Sequence, residues 1–264
     1  IPVVVARHTA DATDVALIEL AAIGAEPLPP FSAGAHIDVR IRDGLVRQYS
    51  LSNDPASAQH YRLGVLRESA SRGGSADMHT NLEVGATLTV SAPRDHFGLA
   101  KDAGSTVLIA GGIGITPLLA MAHTLHAVGA EFALHYCVRS EDRIAFRADL
   151  ENFNTTFHAD DGAEDQRLDT RRVFANPSET KHLYVCGLNG FMDFMVAEVT
   201  RYGWSSQQIH LERFGAEVDT DGVPFTVFAK RTGISFKVLP GQTVAAALQA
   251  HGIDVPMSCH SGVC

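Results

Sequence analysis

Two cysteines at the end of the sequence have a spacing that can bind iron. Cys259 and Cys264, separated by four residues, are among the last residues of the 264-residue chain. This C-x4-C spacing opens the ligand set of plant-type 2Fe-2S clusters, in which further thiolates follow. Two unrelated thiols are the alternative interpretation. As given, the chain supplies only part of that ligand set, so we expect that it cannot hold the cluster. With Ile1 at its start, we also expect it to be cropped at both ends.

A basic and an aromatic residue share one face of an early predicted strand. Arg47 and Tyr49 alternate along Arg47–Ser52, which offers a fixed cation for a phosphate and an aromatic ring for a flat heterocycle. Further on, Arg72-Gly73-Gly74-Ser75 combines glycines with a helix start, whose free N–H groups favour a phosphate. An ordinary amphipathic strand and a flexible turn are the respective alternatives. Two phosphate-type features in one segment favour the binding interpretation over coincidence.

A glycine-rich turn joins a predicted buried strand to a helix. Gly111 to Pro117 follows the apolar strand Thr106–Ala110, and Pro117 suits the first helical turn, where its missing N–H is tolerated. Glycines at such a turn let a pyrophosphate approach the helix N-terminus. Tyr184-Val185-Cys186-Gly187 ends a later strand at the same edge of the sheet, where ligands of doubly wound folds bind. The alternatives are a structural turn and, for Cys186, a small core side chain.

The elements that must position these residues begin with a β-rich segment. Apolar and polar residues alternate in short stretches, a pattern typical of the strands of an antiparallel barrel. The stretches are Val3–His8, Val15–Ala21, His36–Ile41, Arg47–Ser52, Tyr61–Leu66 and Thr87–Ala92. We therefore predict a six-stranded antiparallel β-barrel domain over residues 1–100.

The pattern then changes to alternating strands and helices. Predicted strands are Thr106–Ala110, Phe132–Val138, Thr155–Ala159, His182–Cys186 and Ile209–Arg213, and predicted helices are Thr116–Val128, Glu141–Glu151 and Gly190–Tyr202. This βα order predicts an α/β domain with a doubly wound parallel sheet over residues 104–215. After an acidic linker, a hairpin (Pro224–Ala229 and Ile234–Leu239) and a helix (Val244–His251) are predicted in a third, incomplete domain over residues 223–264.

Composition excludes several classes of partner. The formal net charge is −9 and the sequence has no block of Lys or Arg, which argues against nucleic acid and anionic membranes. The longest apolar stretch, Val107–Ala122, contains three glycines and Pro117 and is too short to span a bilayer. Four cysteines in a chain of this length are too few for a disulfide scaffold. The lack of a charged secretory segment at the N-terminus leads us to expect a cytoplasmic protein.

In their order along the chain, the motifs resemble those of the phthalate dioxygenase reductase family, especially its vanillate O-demethylase reductases. The resemblance rests on Arg47–Ser50, Arg72–Ser75, Gly111–Pro117, Cys186-Gly187, Glu212–Ala216 and the C-x4-C motif. It implies FMN in a barrel of the ferredoxin reductase type, NADH in the following domain and a 2Fe-2S cluster in a C-terminal β-grasp ferredoxin. The implied enzyme is an NADH-dependent, FMN-containing reductase component that passes electrons through the cluster to a Rieske-type terminal oxygenase.

The resemblance also implies roles for individual residues. The implied flavin-binding residues are Arg47, Gln48, Tyr49, Ser50, Val65, Leu66, Arg67, Arg72, Gly73, Gly74 and Ser75. The implied NADH-binding residues are Gly111, Gly112, Gly114, Thr116, Arg139, Ser140, Cys186 and Gly187, and Phe214 would close over the flavin. Within these sets, hydride transfer would be positioned by Ser50, Thr116, Cys186 and Phe214. The implied cluster ligands are Cys259 and Cys264.

Two positions depart from the family pattern. Leu188 stands where the family usually has proline, a change that affects the local turn rather than the ligand. Ser140 stands where an acidic residue would select NADH more clearly, but the neighbouring Glu141 and Asp142 would still repel a 2′-phosphate, so we expect a preference for NADH. The alternative functions are a stand-alone flavin or ferric reductase and a flavin-binding electron-transfer subunit that NADH does not reduce.

Overall fold

The computed structural model describes residues 1–42, 45–57, 59–68, 73–214 and 222–255. The chain falls into two compact units, Ile1–Phe214 and Gly215–Cys264. An antiparallel and a parallel sheet make up the first unit, and a hairpin with a helix makes up the described part of the second. Three predicted site residues, Arg72, Cys259 and Cys264, lie outside the described residues.

The first sheet consists of antiparallel strands. In the described residues these are β1 (Pro2–Ala12), β2 (Val15–Ala22), β3 (Ala35–Arg42), β4 (Leu45–Ser50), β5 (His60–Leu66), β6 (Thr87–Val90) and the short β7 (Arg94–Asp95). Their order is β4-β3-β6-β1-β2-β5, and β7 pairs with β3. A bridge between Leu51 and Leu63 joins the two ends of this order and closes the sheet into a barrel. The predicted six-stranded barrel is confirmed, and β7 is too short to show as an alternating pattern.

Alternation along these strands places apolar side chains inside the barrel. Leu20, Ile37 and Leu63 are fully buried there, and helix α1 (Gly74–Thr80) adds Met78 to the same core. Each such side chain contributes about 1.5–3 kcal/mol when it leaves water. The core therefore fixes the register of β4 and β5, which carry the predicted flavin residues.

The second sheet is parallel. Its strands are β8 (Ser105–Gly111), β9 (Phe132–Val138), β10 (Thr155–Ala159), β11 (Lys181–Gly187) and β12 (Ile209–Arg213), in the order β10-β9-β8-β11-β12. The α-helices between them are α2 (Ile115–Ala127), α3 (Arg147–Leu150), α4 (Thr170–Phe174) and α5 (Asn189–Arg201). Strand order changes direction beside β8, so the carboxyl ends of β8 and β11 form the switch point where such folds bind ligands. The predicted doubly wound parallel sheet is confirmed.

Helices cover both faces of this sheet. On β8, Leu108 packs in one core cluster with Leu118 of α2, whereas the adjacent Val107 packs in another with Met192 of α5. Because successive side chains of a strand point to opposite faces, α2 and α5 lie on opposite sides of the sheet. A sheet buried on both faces needs unbroken apolar strands, which is the pattern that β8 has.

The predicted helix Glu141–Glu151 is wrong. The structure has a 3₁₀ turn at Glu141–Arg143 and only the short α3 after it. Between them, Phe146 has a φ of 59°, in the left-handed region that interrupts a right-handed helix. The Phe146 N–H donates to Asp11 Oδ2 on β1 at 2.6 Å, and the Phe146 ring is buried. A contact with the barrel thus overrides the local helical pattern.

The described part of the second unit is small. Strands β13 (Phe225–Ala229) and β14 (Ile234–Val238) form an antiparallel hairpin, and α6 (Val244–Ala250) begins after Thr243, whose hydroxyl accepts from the Ala246 N–H at 3.1 Å. Phe236, Val238 and Ala247 form its buried core. This hairpin and helix agree with the predicted elements. Among the helices of the described residues, none has the length and apolar character needed to cross a membrane.

Candidate functional site

The predicted flavin strand and the predicted nucleotide turn meet within the first unit. A Cβ atom built on Gly64 of β5 would lie 2.8 Å from Thr116 Cγ2, at the start of α2, and 2.8 Å from Phe146 Cζ. Any side chain larger than glycine would therefore have to displace the Thr116 and Phe146 side chains. Arg62, also on β5, reinforces the contact, because its guanidinium pairs with Asp149 Oδ1 at 3.0 Å.

A carboxyl group joins two of the predicted catalytic residues. Ser50, at the end of β4, donates through Oγ to Glu212 Oε2 at 3.4 Å. Cys186, at the end of β11, approaches the same oxygen through Sγ at 3.9 Å. Glu212 lies on β12 directly beside Cys186 in the sheet register. The barrel and the nucleotide sheet thus converge on one side chain, to which the sequence analysis gave no role.

Burial sets the protonation of this cluster. Desolvation raises the pKa of Glu212 to about 7, with a further increase from the charge of Asp95, while the hydrogen bonds from Ser50 and Cys186 act in the opposite direction. Burial also raises the pKa of the Cys186 thiol well above its ordinary value, and the adjacent Glu212 adds to the effect. Glu212 can therefore hold or release a proton near neutral pH, whereas Cys186 remains a neutral thiol, unsuited to act as a nucleophile.

The glycines after β8 serve close packing as well as ligand access. A Cβ on Gly114 would lie 2.2 Å from the carbonyl oxygen of Cys186, and one on Gly111 or Gly187 would lie 2.5 or 2.7 Å from the Phe191 ring. Only glycine lets β11 approach the start of α2, and lets β8 and β11 approach α5, so closely. Gly112 differs, because its φ is +54° and, within the part of the chain that the structure describes, no atom beyond its chain neighbours lies within 4 Å of its Cβ position. That open space fits a phosphate of a dinucleotide at the helix start.

Two further predicted site residues, Thr116 and Phe214, are tied to this turn. Thr116 is buried, and its hydroxyl donates to the Ile113 carbonyl at 3.0 Å, so it braces the turn. The Phe214 N–H donates to the Gly187 carbonyl at 3.4 Å, which places Phe214 beside the end of β11.

Leu188 has a φ of −76°. Because proline has nearly the same φ, leucine keeps the local turn at this departure from the family pattern.

The predicted flavin-phosphate residues lie together at the start of α1. A Cβ on Gly74 would lie 3.0 Å from Arg47 Cγ and Nε, so the absence of a side chain leaves room beside the guanidinium. Gly73, before it, has a φ of 98°. Ser75 is buried, and its Oγ accepts from the Glu68 N–H at 3.2 Å. Arg47 has five N–H donors, of which Nη1 reaches the Val46 carbonyl at 2.8 Å, so this group fits a phosphate.

The remaining flavin residues have mixed placements. Tyr49 is partly buried against the barrel core, and desolvation raises its pKa while the charge of Arg47 opposes the rise. Val65 faces the core, and its carbonyl accepts from His79 Nε2 at 2.8 Å. The Arg67 N–H donates to the Asp14 carbonyl at 2.7 Å. The Val65 carbonyl and the Arg67 N–H, which were expected to lie along the flavin, thus already have hydrogen-bond partners within the protein. The other two implied positions, Gln48 and Leu66, lie within β4 and β5 and are partly buried.

The predicted ribose residues lie at the end of β9. Because β8 separates β9 from β11, Arg139 and Ser140 are distinct from the cluster around Glu212. Arg139 is exposed, and its carbonyl accepts from the Asp161 N–H at 3.1 Å. The two neighbouring carboxylates expected to repel a 2′-phosphate have protein partners: Glu141 pairs with Arg147 at 3.1 Å, and Asp142 accepts from Ser140 at 2.5 Å.

Comparisons with known proteins agree with this arrangement. The family model of the oxidoreductase NAD-binding domain matches residues 108–197, and that of the 2Fe-2S iron-sulfur cluster binding domain matches residues 227–264. A vanillate O-demethylase oxidoreductase of Pseudomonas putida is 45% identical over 270 residues, which cover 99% of this chain and 84% of the relative. A phthalate dioxygenase reductase of Burkholderia cepacia is 37% identical over 260 residues, covering 96% and 80%.

The fold comparison leads to the same family. A solved phthalate dioxygenase reductase, described as a modular structure for electron transfer from pyridine nucleotides to [2Fe-2S], superposes with a TM-score of 0.81 at 35% identity. The match covers 100% of this chain and 85% of that structure. The order of modules and the implied cofactors are those expected from the motifs. The chain therefore belongs to the phthalate dioxygenase reductase family, the oxidoreductases that use NADH, FMN and a 2Fe-2S cluster as reductase components of oxygenase systems.

Proposed function

We propose that this chain supplies electrons from NADH to a Rieske-type terminal oxygenase that acts on an aromatic substrate. Relatives with 41% and 39% identity are named as a phenoxybenzoate dioxygenase subunit and a phthalate 4,5-dioxygenase reductase subunit, which supports an aromatic oxygenase as partner. The observation that carries the proposal is the meeting of Ser50, Glu212 and Cys186, because it brings the flavin strand and the nucleotide sheet to one point. Donor and acceptor of a hydride need such a common site.

Flavin chemistry explains why the modules occur together. A flavin accepts a hydride from NADH and passes electrons on singly, as a 2Fe-2S cluster requires. On the protein side, Arg47, Gly74 and Ser75 would hold the FMN phosphate, and Tyr49 would pack against the ring system. Ser50 would hydrogen-bond to the flavin edge, and it could donate its single proton there only when a protonated Glu212 donates to the Ser50 oxygen. Within this proposal, residues 1–100 form the flavin domain, and the implied role of Arg72 in the phosphate site is retained.

The nucleotide half of the site has a separate task. Within the proposed domain 104–215, the open backbone at Gly112 would receive the pyrophosphate, and Arg139 with Ser140 would contact the adenosine ribose. Thr116 and Phe214 would limit the space for the nicotinamide, and Cys186 would position it without forming a bond. Glu212 would hold a proton beside Ser50 and keep bulk water from the reacting atoms. In the proposed domain 223–264, Cys259 and Cys264 would be cluster ligands.

Replacing Arg47 with alanine is expected to weaken FMN binding by about 1.5–3 kcal/mol, the scale of a charge-assisted hydrogen bond, or roughly 10- to 150-fold in Kd. The measurement is fluorescence titration of the flavin-free protein with FMN. Arg7→Ala is the matched control, because Arg7 is an exposed barrel residue paired with Glu19 at 3.7 Å. Equal FMN affinity in the two variants would remove Arg47 from the phosphate site. FMN rather than FAD is expected on extraction of the bound flavin.

Replacing Cys186 with alanine is expected to slow flavin reduction by about 10- to 100-fold without abolishing it. The nicotinamide would then be less well aligned with the flavin, and much of the rate of hydride transfer depends on that alignment. Rapid mixing with NADH measures this rate. The control is Cys137→Ala, which removes a thiol from β9 of the same sheet, away from Glu212. Burial raises the pKa of Cys137 to about 12, so Cys137, like Cys186, is a neutral thiol. Complete loss of reduction in a folded, flavin-loaded Cys186→Ala protein would contradict a positioning role.

The partner is tested by reconstitution. The cluster-loaded reductase is mixed with a purified Rieske-type O-demethylase oxygenase, vanillate and NADH. Reduction of the Rieske centre and formation of the demethylated product are followed. We expect both to depend on the reductase. If NADH reduces the flavin normally but no electrons reach any Rieske-type oxygenase tested, the proposed partner is contradicted. The proposal that the protein is an NADH-dependent reductase would still stand.

A further inference from the structure

Asp142 connects the end of β9 to the barrel. Its Oδ1 atom lies 2.5 Å from Ser140 Oγ, and its Oδ2 atom lies 2.5 Å from Thr13 Oγ1, in the turn between β1 and β2. The Asp142 carbonyl also accepts from the Thr13 N–H at 2.9 Å. Both carboxylate oxygens are therefore engaged, one by the barrel and one by the predicted ribose residue.

These contacts determine where the Ser140 proton points. The hydrogen bonds from Ser140 and Thr13 lower the pKa of Asp142, so its carboxylate is ionised at neutral pH. An ionised carboxylate only accepts hydrogen bonds, and a serine hydroxyl has a single proton. Ser140 must therefore donate that proton to Asp142. What Ser140 offers to any ligand at the end of β9 is its oxygen lone pairs.

We propose that Asp142 makes Ser140 a hydrogen-bond acceptor toward the adenosine ribose and thereby selects NADH over NADPH. The inference rests on the proposed function, in which Ser140 lies at the ribose. A ribose 2′-hydroxyl has a proton to donate to the Ser140 oxygen. A 2′-phosphate is largely deprotonated at neutral pH and presents acceptors, so at Ser140 it meets an acceptor in place of a donor. Ser140, held by Asp142, would accept the hydrogen bond of the ribose 2′-hydroxyl, which a single acidic residue accepts in other NADH sites.

The surrounding charges determine how the proposal can be tested. Arg143 pairs with Asp14 at 3.3 Å and Arg147 pairs with Glu141 at 3.1 Å, so both cations are partly neutralised. Arg139 is exposed at the same strand end and would attract a 2′-phosphate. Loss of the Asp142 charge alone would also help a 2′-phosphate to bind. The experiment must therefore separate the charge of Asp142 from its control of the Ser140 proton.

A double-mutant cycle separates these effects. AMP and adenosine 2′,5′-bisphosphate, which differ by the 2′-phosphate, are titrated calorimetrically into the FMN-loaded protein and its Asp142→Ala, Ser140→Ala and double variants. We expect Asp142→Ala to improve bisphosphate binding relative to AMP by about tenfold, the scale of one charge-assisted hydrogen bond. Most of this gain should disappear in the double variant, because the freed donor is then absent. The ratio of kcat/KM for NADPH and NADH should change in parallel.

Two controls complete the design. Glu141→Gln removes one negative charge from the same turn without freeing Ser140, so it measures the gain in bisphosphate binding from charge alone, which should be smaller than the gain in Asp142→Ala. Thr13→Val removes the barrel's side-chain bond to Asp142 without changing a charge and should change the ratio of the two affinities by no more than about twofold. An unchanged ratio in Asp142→Ala, or a gain that persists in the double variant, would overturn the inference while leaving the ribose site in place. AMP binding that is insensitive to Ser140→Ala would instead overturn the placement of the ribose, and the inference with it.

Discussion

Replacing Gly114 with alanine is expected to reduce NADH-dependent flavin reduction by at least about a hundredfold, the loss typical of reactants displaced by about 1 Å. The added methyl group would lie 2.2 Å from the Cys186 carbonyl oxygen and 2.7 Å from the Gly187 nitrogen. Those are backbone atoms, so a side-chain rotation cannot relieve the overlap. The start of α2 must move away from β11, which separates the proposed pyrophosphate and nicotinamide sites. Overpacking of this kind costs about 1–3 kcal/mol of stability or more.

Gly190→Ala is the matched control for this substitution. Gly190 lies in α5, and apart from its chain neighbours and the adjacent helix backbone, no atom of the described residues lies within 4 Å of its Cβ position. Alanine there should stabilise the helix by about 0.5–1 kcal/mol and leave NADH reactivity unchanged. Rapid mixing measures the reduction rate, and urea unfolding measures stability. A Gly114→Ala protein that reacts with NADH as fast as the Gly190→Ala protein would contradict the assigned geometry of the turn.

Replacing Glu212 with glutamine is expected to remove the loss of stability that this carboxyl causes as the pH rises from about 5 to 8. The folded-state pKa of Glu212, about 7, lies above the ordinary value of 4.5 because the carboxyl is desolvated. The folded protein therefore binds the proton more tightly than the unfolded chain does. This contribution to stability is complete below the ordinary pKa and is lost as the pH rises through about 7. The shift corresponds to on the order of 3 kcal/mol.

Glutamine cannot ionise, so the variant should unfold at higher urea than the unmodified protein at pH 8 and show little such gain at pH 5. The measurement is urea unfolding of the flavin-free protein at both pH values. Glu83→Gln, which changes an exposed carboxyl of the barrel unit, is the control. If the free energy of unfolding has the same pH dependence in the unmodified protein and in Glu212→Gln, the Glu212 carboxyl does not titrate near neutral pH.

The two sheets could be predicted from the sequence because their patterns are local. Alternation marks the barrel strands, and continuous apolar runs such as β8 mark strands buried on both faces. The failures have non-local causes. Phe146 takes a left-handed conformation because its backbone and ring contact the barrel, so the predicted helix over residues 141–151 breaks. The five-residue α4 is stabilised at its start by the Asp169 carboxylate, which accepts from the Arg171 N–H, and is too short to show a helical period.

The site was predictable in its parts and not in its assembly. Cys186 and Ser50 were expected near the flavin and nicotinamide from the family resemblance. Their common partner Glu212 lies on a third element, and no spacing in the sequence brings residues 50, 186 and 212 together. The alternation of polar residues in β12, with Glu212 on the same face as His210, is the signal that could have found it. Likewise, the packing role of Gly114 depends on the Cys186 backbone, which the motif alone does not contain.

A flavin held by the barrel is expected to take a hydride from NADH held by the parallel sheet. The direct measurement is anaerobic rapid mixing of the FMN-loaded protein with one equivalent of NADH while flavin absorbance is followed. We predict rapid and complete loss of the oxidised flavin band, with a rate that saturates as NADH is increased. A flavin that stays oxidised although calorimetry shows that NADH binds would contradict the account, because the two sites would then not share the meeting point at Glu212.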